Sequence, residues 1–400
     1  MKILYADSID ESGLGPLRNA GHECVLRPEL TADTLSDVIG GFDVLVVRST
    51  KVTGATIAAA DRLGLIVRAG AGTDNIDRDA ASDRGIFVCN VPGRNAIAVA
   101  ELTIGLLLAI DRRIADNVTE LRAGSWNKKE YTAADGVYGK RIGIVGLGDI
   151  GLAVAERAKA LGLSVAAVRK SDRRPQVQAT IRSIGIRMVD DLQTLLAESD
   201  VISIHVPKSD GTVGLVDADF LAAMGQGSIL LNTSRGDVVD EAALLAALDA
   251  GSIRAGLDVW PGEPGSGTGS FESALAAHPA VVGTHHIGAS TAQAQRSVAD
   301  GATEVIQSYV VGDPINCVNL RLQPEGASCL TIRHLDRVGV LASVFAVLRA
   351  NGLNVQQMQN QVFSGGQAAV ATININAEPS QTTIDAIGDI DEVFNVVVTG

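Results

Sequence analysis

Aromatic residues are scarce in this chain, at 3% of 400 positions, so its cores must be built from Ala, Val, Leu and Ile rather than from large rings. Cysteine is scarcer still: Cys24, Cys89, Cys317 and Cys329 are the whole set. None stands in a C-x-x-C pair, and their spacing suggests neither a disulfide framework nor a zinc or other metal site, so a reducing compartment is expected. Positive charge is in deficit, with 33 Lys+Arg against 46 Asp+Glu and a formal net charge of −13. That sign argues against broad, sequence-independent binding to nucleic acid or to an anionic membrane, because both need a basic face. Long apolar runs are missing too. The most apolar stretch, Leu102 to Ile110, is interrupted by Thr103 and Gly105 and followed by Asp111-Arg112-Arg113, so no membrane span is expected. The first residues reach Asp7 too soon for the core of a signal peptide, and a cytoplasmic location is expected.

What is present is an ordinary globular balance, 46% hydrophobic and 20% charged, over a length that suits more than one core. Short apolar runs at Ile3–Ala6, Asp43–Val47, Leu65–Val67 and Ile86–Val88 read as buried strands. A long helical pattern follows, Ala96 to about Arg122, and its apolar face is expected to bury against a second subunit. A second strand–helix series then runs through Arg141–Val145, Ser164–Val168, Ile186–Val189, Val201–Val206, Ser228–Leu231, Gly256–Val259 and Val281–Thr284. Strands separated by helices imply parallel sheets, because parallel neighbours need a crossover. Gln323-Pro324-Glu325-Gly326 reads as a linker, and the remaining residues repeat a β-α-β-β-α-β order, a ferredoxin-like unit.

One glycine pattern carries chemistry. Arg141–Val145 runs into Gly146-Leu147-Gly148-Asp149-Ile150-Gly151, a G-x-G-x-x-G between a strand and a helix. The first glycine can make the tight turn, the second lets the backbone approach a pyrophosphate, and the third allows close helix–strand packing. Free N–H groups at the helix start would hold the phosphates. At the tip of the following strand, where an acidic residue usually takes the ribose hydroxyls, stand Arg169, Lys170, Ser171, Asp172, Arg173 and Arg174. This basic turn suits a 2′-phosphate, so the cofactor is NAD or NADP with a lean to NADP. The other reading of the turn places Asp172 in the ribose role.

Nicotinamide chemistry also needs a group that exchanges the hydroxyl proton, and histidine is poised for it near neutral pH. Of the six histidines, His22 and His278 read as surface or turn residues, and His205, in Ile204-His205-Val206-Pro207, suits a core or cofactor-lining role. His286, in His285-His286-Ile287-Gly288-Ala289-Ser290-Thr291, follows a strand and leads into a small-residue turn, the place where ligands bind such sheets. Glu263, in Trp260-Pro261-Gly262-Glu263-Pro264, is the best carboxylate partner for an imidazolium. Arg235, in Asn232-Thr233-Ser234-Arg235-Gly236, can hold a carboxylate bidentately and polarise an adjacent carbonyl.

On the segments Gly146–Gly151, Asn232–Gly236, Asp258–Pro264 and His286–Thr291, the chain resembles the D-isomer-specific 2-hydroxyacid dehydrogenases over nearly its whole length. The resemblance implies an α/β protein with a Rossmann-type nucleotide domain (96–289) and a flavodoxin-like split substrate domain (1–95 and 290–322). It also implies a C-terminal ferredoxin-like ACT domain (327–400), and a homodimer or homotetramer. It makes Arg235 the group that binds and polarises a 2-oxo acid, Glu263 the partner of the histidine, and His286 the acid/base. Asp149, Ile150, Arg169, Lys170, His205, Val206, Pro207, Thr233, Ser234, Asp258 and Gly288 fall with the three motif glycines at cofactor positions. Arg48, Ser49, Lys51, Arg68 and Gly70 fall on segments that meet substrate, and the cations among them suit a phosphate. The implied reaction is oxidation of 3-phosphoglycerate to 3-phosphohydroxypyruvate, the first step of serine synthesis. The alternatives are a glyoxylate/hydroxypyruvate reductase and a dinucleotide sensor without turnover. His334, Asp336 and Asn354 match effector positions of an ACT domain, which suggests serine as the effector. Four positions depart from the family pattern: Arg169 replaces the usual acidic residue, His285 stands where Pro is common, Asp336 where Asn is frequent, and Ala71 lacks a hydroxyl often found there.

Overall fold

Runs of aliphatic and β-branched residues, each closed by a polar or glycine-bearing turn, become the strands of three sheets. The computed structural model describes residues 1–171, 173–264, 268–320 and 328–399. Asp172 and the linker reading at Gln323–Gly326 lie outside the described residues. The chain divides into two compact units, Met1–Asn319 and Leu320–Gly400.

In the first unit, β1 (Lys2–Tyr5), β2 (Glu23–Leu26), β3 (Val44–Val47), β4 (Leu65–Arg68) and β5 (Phe87–Asn90) form a parallel sheet in the order β2-β1-β3-β4-β5. This is the flavodoxin-like order, and its direction reverses between β1 and β3. The late helix Ala292–Val310 returns to this sheet, where Val298, Ala302, Val305 and Ile306 share a core with Ile3, Tyr5, Val44 and Val67. Gly13 permits the contact, since a Cβ there would sit 2.9 Å from the Ala299 carbonyl oxygen.

Seven parallel strands make the second sheet: β6 (Arg141–Val145), β7 (Ser164–Val168), β8 (Arg187–Val189), β9 (Val201–Ile204), β10 (Ser228–Asn232), β11 (Ile253–Leu257) and β12 (Val281–Gly283). Their order, β12-β11-β10-β9-β6-β7-β8, is doubly wound and reverses at β6, the strand that enters the glycine motif. Ligands of such sheets bind outside the carboxyl ends of the strands at the reversal.

The long helix expected over Ala96–Arg122 is two helices, Ala96–Arg112 and Ile114–Arg122, broken at Arg113 with φ 49°. For the first of these helices, the expected burial against a second subunit gives way to packing inside the unit. Leu106, Leu107 and Ile110 of the first helix pack in the core of the second sheet with Ile142, Val154 and Leu231. No residue of the second helix is fully buried, and Ile114, Val118 and Leu121, spaced along one of its faces, are exposed. Among the described residues no helix is long and apolar enough to cross a membrane.

The second unit is an antiparallel sheet of β13 (Ser328–Leu335), β14 (Val355–Val362), β15 (Ala368–Ile375) and β16 (Val393–Thr399) in the order β14-β15-β13-β16, the ferredoxin-like order. Its helices, Val340–Ala350 and Gln381–Gly388, supply Val344, Leu348 and Ile387 to a core with Leu330, Ile332 and Ile373.

Candidate active site

The glycine turn uses its three glycines differently. Gly146 has φ 101°, and a Cβ there would lie 2.5 Å from the His205 carbonyl oxygen. A Cβ on Gly151 would meet the Gly146 carbonyl oxygen at 2.0 Å, so the third glycine lets the helix sit down on the turn. Gly148 caps the Asp149–Ala160 helix and has open space where its Cβ would be. That open face borders a cleft of about 600 Å³ lined by Gly146, Gly148, Asp149, Val168, Arg169, Lys170, Arg173, Arg174 and Val206. A bare helix N-terminus, a close-packed turn and a cleft of this size fit a dinucleotide. Ile150, from the same motif, packs its side chain against the sheet core instead.

The lip beyond β7 is basic. Arg169 Nε lies 3.5 Å from Asp190 Oδ1, on a carboxylate that is 90% exposed, and Arg173 Nη2 donates to the Val168 carbonyl oxygen at 2.8 Å. Val206 lines the cleft, whereas Pro207 is exposed and its carbonyl oxygen accepts the Thr212 hydroxyl at 2.6 Å.

His205 sits behind the turn. Its Nε2 lies 2.7 Å from Ser203 Oγ, and its Nδ1 is buried without a partner among the described residues. Burial pushes the imidazole down to about 3. Because the folded value lies below the ordinary 6.5, the unfolded chain takes up a proton between pH 6.5 and 3 that the native state refuses, so stability is present above 6.5 and is lost as pH falls. From pH 6.5 to 5 this single group removes on the order of 2 kcal/mol. Denaturant midpoints measured across that interval are expected to fall less steeply for His205→Asn than for the parent; identical slopes would remove His205 from the account.

At the end of β10, Asn232 organises the next three residues. Its Oδ1 accepts from the Ser234 N–H (3.0 Å) and hydroxyl (2.7 Å), and its Nδ2 donates to the Arg235 carbonyl oxygen (2.9 Å). Thr233 is buried, with its hydroxyl 2.9 Å from that of Thr103. Arg235 is fixed twice: Nη1 donates to the Ser234 carbonyl oxygen at 2.7 Å, and Nε to Asp74 Oδ2 at 2.9 Å. Asp74 belongs to the loop after β4, so this ion pair joins the carboxyl ends of the two sheets. A Cβ on Gly72 would lie 1.9 Å from Arg235 Nη2, so a side chain there would displace the guanidinium.

Gly236 packs directly on the next strand end, since a Cβ there would lie 2.2 Å from the Trp260 carbonyl carbon. The Trp260 N–H donates to Glu263 Oε2 at 3.1 Å, and Glu263 Oε1 lies 2.5 Å from His286 Nδ1. Arg235, Glu263 and His286 are therefore linked through one set of strand-end contacts. With Nδ1 held by the carboxylate, Nε2 is the ring atom available for proton exchange. His286 itself has φ 52°, a conformation uncommon for a residue with a Cβ and frequent at functional sites.

Asp258 explains how that backbone is held. It is buried; Oδ1 accepts from the Thr284 hydroxyl (2.6 Å) and the Ile287 N–H (2.8 Å), and Oδ2 from the Gly288 N–H (2.8 Å). The His286 N–H donates to the Asp258 carbonyl oxygen at 2.7 Å. Asp258 and Gly288, expected at the cofactor, are thus engaged with each other, and they fasten the turn that presents His286.

The substrate-side residues stand at the carboxyl ends of β3 and β4 in the first sheet. Asp7, following β1, accepts from the N–H groups of Arg48, Ser49 and Thr50 at 2.7, 3.2 and 3.1 Å, which shapes the loop after β3. Arg68 Nε is buried without a partner among the described residues. Burial first, then repulsion from Arg235 and Arg48, pushes Arg68 down to about 10, against attraction from Asp74 and Asp7. The guanidinium groups of Arg235 and Arg48 are therefore close enough to repel that of Arg68. The Gly70 N–H donates to the Arg68 carbonyl oxygen at 2.8 Å. Lys51 and Ser49 are exposed.

The effector positions separate. His334 is buried, with Nδ1 2.8 Å from the Leu335 carbonyl oxygen and Nε2 3.1 Å from Asn360 Oδ1, so both nitrogens are occupied within the unit. Asp336 and Asn354 are exposed, and Asn354 borders a hollow of about 510 Å³ with Phe345 and Arg349. Sequence reasoning missed the roles of Asp7, Asp74, Asn232 and Thr284, although Asn232 and Asp74 lay within segments already singled out and Thr284 closed an expected strand.

The doubly wound sheet with its glycine turn, and the Arg–Glu–His set beside it, define a two-sheet dinucleotide-binding protein of the dehydrogenase type. The model of the D-isomer specific 2-hydroxyacid dehydrogenase NAD binding domain matches residues 104–288. A hydroxypyruvate reductase of Thermotoga maritima is 40% identical over 307 residues, covering 76% of this chain and 97% of that protein. A D-3-phosphoglycerate dehydrogenase of Methanocaldococcus jannaschii is 38% identical over 329 residues, 81% of this chain, but the match spans 60% of that relative's length. Among solved structures, an acyclic imino acid reductase in complex with NADPH and D-Arg superposes with a TM-score of 0.70 at 28% identity, covering 80% of this chain and 100% of that one. The chain belongs to the D-isomer-specific 2-hydroxyacid dehydrogenase family.

Proposed function

We propose that the chain is a nicotinamide-dependent D-2-hydroxyacid dehydrogenase acting on a phosphorylated substrate, 3-phosphoglycerate, which it oxidises to 3-phosphohydroxypyruvate. The observation that carries this reading is the half-buried Arg68, whose Nε is buried without a partner among the described residues, beside Arg48 and Arg235. An excess of guanidinium charge held out of water is costly until an anion arrives, and a ligand with both a carboxylate and a phosphate supplies two. Arg235 would hold the carboxylate and polarise the C2–oxygen bond. Arg48 and Arg68 would take the phosphate, with Lys51 at the rim. His286 would accept the C2 hydroxyl proton at Nε2 while Glu263 stabilises the resulting imidazolium. A nicotinamide cofactor held at Gly146–Gly151 supplies the hydride chemistry. Serine is proposed as the effector of the second unit through Asp336 and Asn354. A panel of 2-hydroxy and 2-oxo acids, assayed with both cofactors, tests the substrate assignment. The second reading, a glyoxylate/hydroxypyruvate reductase, is favoured by the Thermotoga relative matched over 97% of its length, and it predicts activity without a phosphate on the substrate.

NADP(H) is proposed over NAD(H), because Arg169, Lys170, Arg173 and Arg174 line the cleft where an acidic residue would otherwise receive the ribose. kcat/KM is expected to be about tenfold or more higher with NADP(H), and Arg169→Asp is expected to lower that value by about 10–100-fold, as fits the loss of a charge-assisted bond. An unmodified protein that prefers NAD(H) overturns this part alone.

The exposed Ile114, Val118 and Leu121 stripe is proposed to bury in a homodimer or homotetramer. Light scattering at micromolar concentration is expected to give a dimer or larger for the parent and a smaller species for Leu121→Asp. A monomeric parent contradicts the oligomer.

A further inference from the structure

Residues 316–319 run antiparallel beside β5, at the edge of the first sheet. The Asn90 N–H donates to the Asn316 carbonyl oxygen at 3.2 Å, and the Val318 N–H to the Val88 carbonyl oxygen at 2.8 Å. Between these two bonds Cys89 and Cys317 face each other as bridge partners. A pair flanked in this way is of the non-hydrogen-bonded kind, with Cα atoms about 4.5 Å apart and side chains at their closest. Disulfides span Cα separations of about 4.4–6.8 Å, so the backbone already has a compatible spacing. Asn319 anchors the segment: its Oδ1 accepts from the Val88 N–H at 2.8 Å and from Cys317 Sγ at 3.2 Å, and its Nδ2 donates to the Ile86 carbonyl oxygen at 2.9 Å. The thiols also sense each other. Burial, followed by the charge of Cys317 and a hydrogen bond to it, pushes Cys89 up to about 12. Cys89 is fully buried, whereas Cys317 is partly exposed, so the two thiols have different parts to play.

We propose that Cys89 and Cys317 form a reversible disulfide, a thiol modification site whose oxidant is a low-molecular-weight disulfide. The Cys317 thiolate attacks one sulfur of the oxidant, whose S–S bond breaks. One small thiolate leaves and takes up a proton, and a mixed disulfide remains on Cys317. Cys89 then loses its proton and attacks Cys317 Sγ, and the second small thiol leaves. Two protein thiols have lost two electrons and two protons, and the oxidant has gained both as two thiols. The new bond ties residues 316–319 covalently to β5. The residue next to Cys89 in β5, Asn90, donates from Nδ2 to the Ala71 carbonyl oxygen at 2.6 Å, in the loop that follows Arg68 and carries Asp74.

The test uses the full chain and oxidised glutathione. After equilibration and acid quench, the denatured protein is expected to show two free thiols instead of the four in the sequence. Its mass should fall by about 2 Da, a peptide should link Cys89 to Cys317, and dithiothreitol should reverse all three changes. Cys89→Ser is expected to stop at a stable glutathione adduct on Cys317, and Cys317→Ser to keep all three of its remaining thiols free. Four free thiols in the oxidised parent, a persistent glutathione adduct in the parent, or a cross-link through Cys24 or Cys329 would overturn the proposal. The thiol count of the parent stands even where a serine variant fails to fold.

Discussion

Replacing His286 with alanine is expected to lower turnover by about 10²–10⁴-fold, the range of a positioned acid/base, with cofactor affinity within about twofold of the parent. The turn that carries the residue is held by Asp258 and Thr284 rather than by the imidazole. Removing the ring therefore deletes proton exchange at Nε2 and leaves the glycine turn at Gly146–Gly151 intact. Glu263→Gln should cost less, because the ring keeps a hydrogen-bond partner while the imidazolium loses its counter-charge. Steady-state rates with cofactor titration by fluorescence separate the two effects. Near-parental turnover in His286→Ala would falsify the assignment of the acid/base.

The second large effect is expected at Arg235. Arg235→Ala should lower kcat/KM about 10³-fold, near 4 kcal/mol, because the substrate carboxylate loses its bidentate partner and Asp74 is left without its ion pair. Arg235→Lys retains the charge but not the planar fork, which is held at Nε by Asp74 and at Nη1 by Ser234; a loss of about 10²-fold is expected. Asp74→Asn leaves the guanidinium in place with a neutral neighbour, so a smaller loss in kcat/KM is expected. An Arg235→Ala variant with unchanged kcat/KM for every 2-oxo acid would detach this residue from substrate.

The parts of this structure that were legible in the sequence are those fixed by local spacing. The glycine motif places its three residues by steric rules that hold within one strand–turn–helix, and each glycine has the close contact or open face that its position implies. Arg235, Glu263 and His286 were legible as strand-end residues, because parallel strands deliver their carboxyl ends to one edge. Residues that act across sheets were not legible. Asp7 shapes the Arg48–Thr50 loop, and Asp74 orients Arg235, from positions far away in the chain, and no local pattern marks either carboxylate. The break at Arg113 escaped for a different reason: Asp111-Arg112-Arg113-Ile114 contains neither glycine nor proline, so the left-handed residue leaves no compositional trace. Strand β2 (Glu23–Leu26) was passed over because an edge strand with Glu23 and Cys24 lacks a continuous apolar run. A usable signal did exist for His334. Alternation from Leu330 and Ile332 puts it on the inward face of β13, where the structure has it.

Substrate charge is where the account is most exposed to a single measurement. Oxidation of D-3-phosphoglycerate and reduction of 3-phosphohydroxypyruvate, glyoxylate and hydroxypyruvate, followed by reduced-cofactor absorbance with NAD(H) and NADP(H), compares phosphorylated and simple substrates at one site. The highest kcat/KM is expected for the phosphorylated pair, with that preference lost in Arg68→Ala while hydroxypyruvate reduction persists. Turnover of hydroxypyruvate or glyoxylate with none of the phosphorylated pair contradicts the phosphate site, and no turnover of any 2-hydroxy or 2-oxo acid contradicts the dehydrogenase itself.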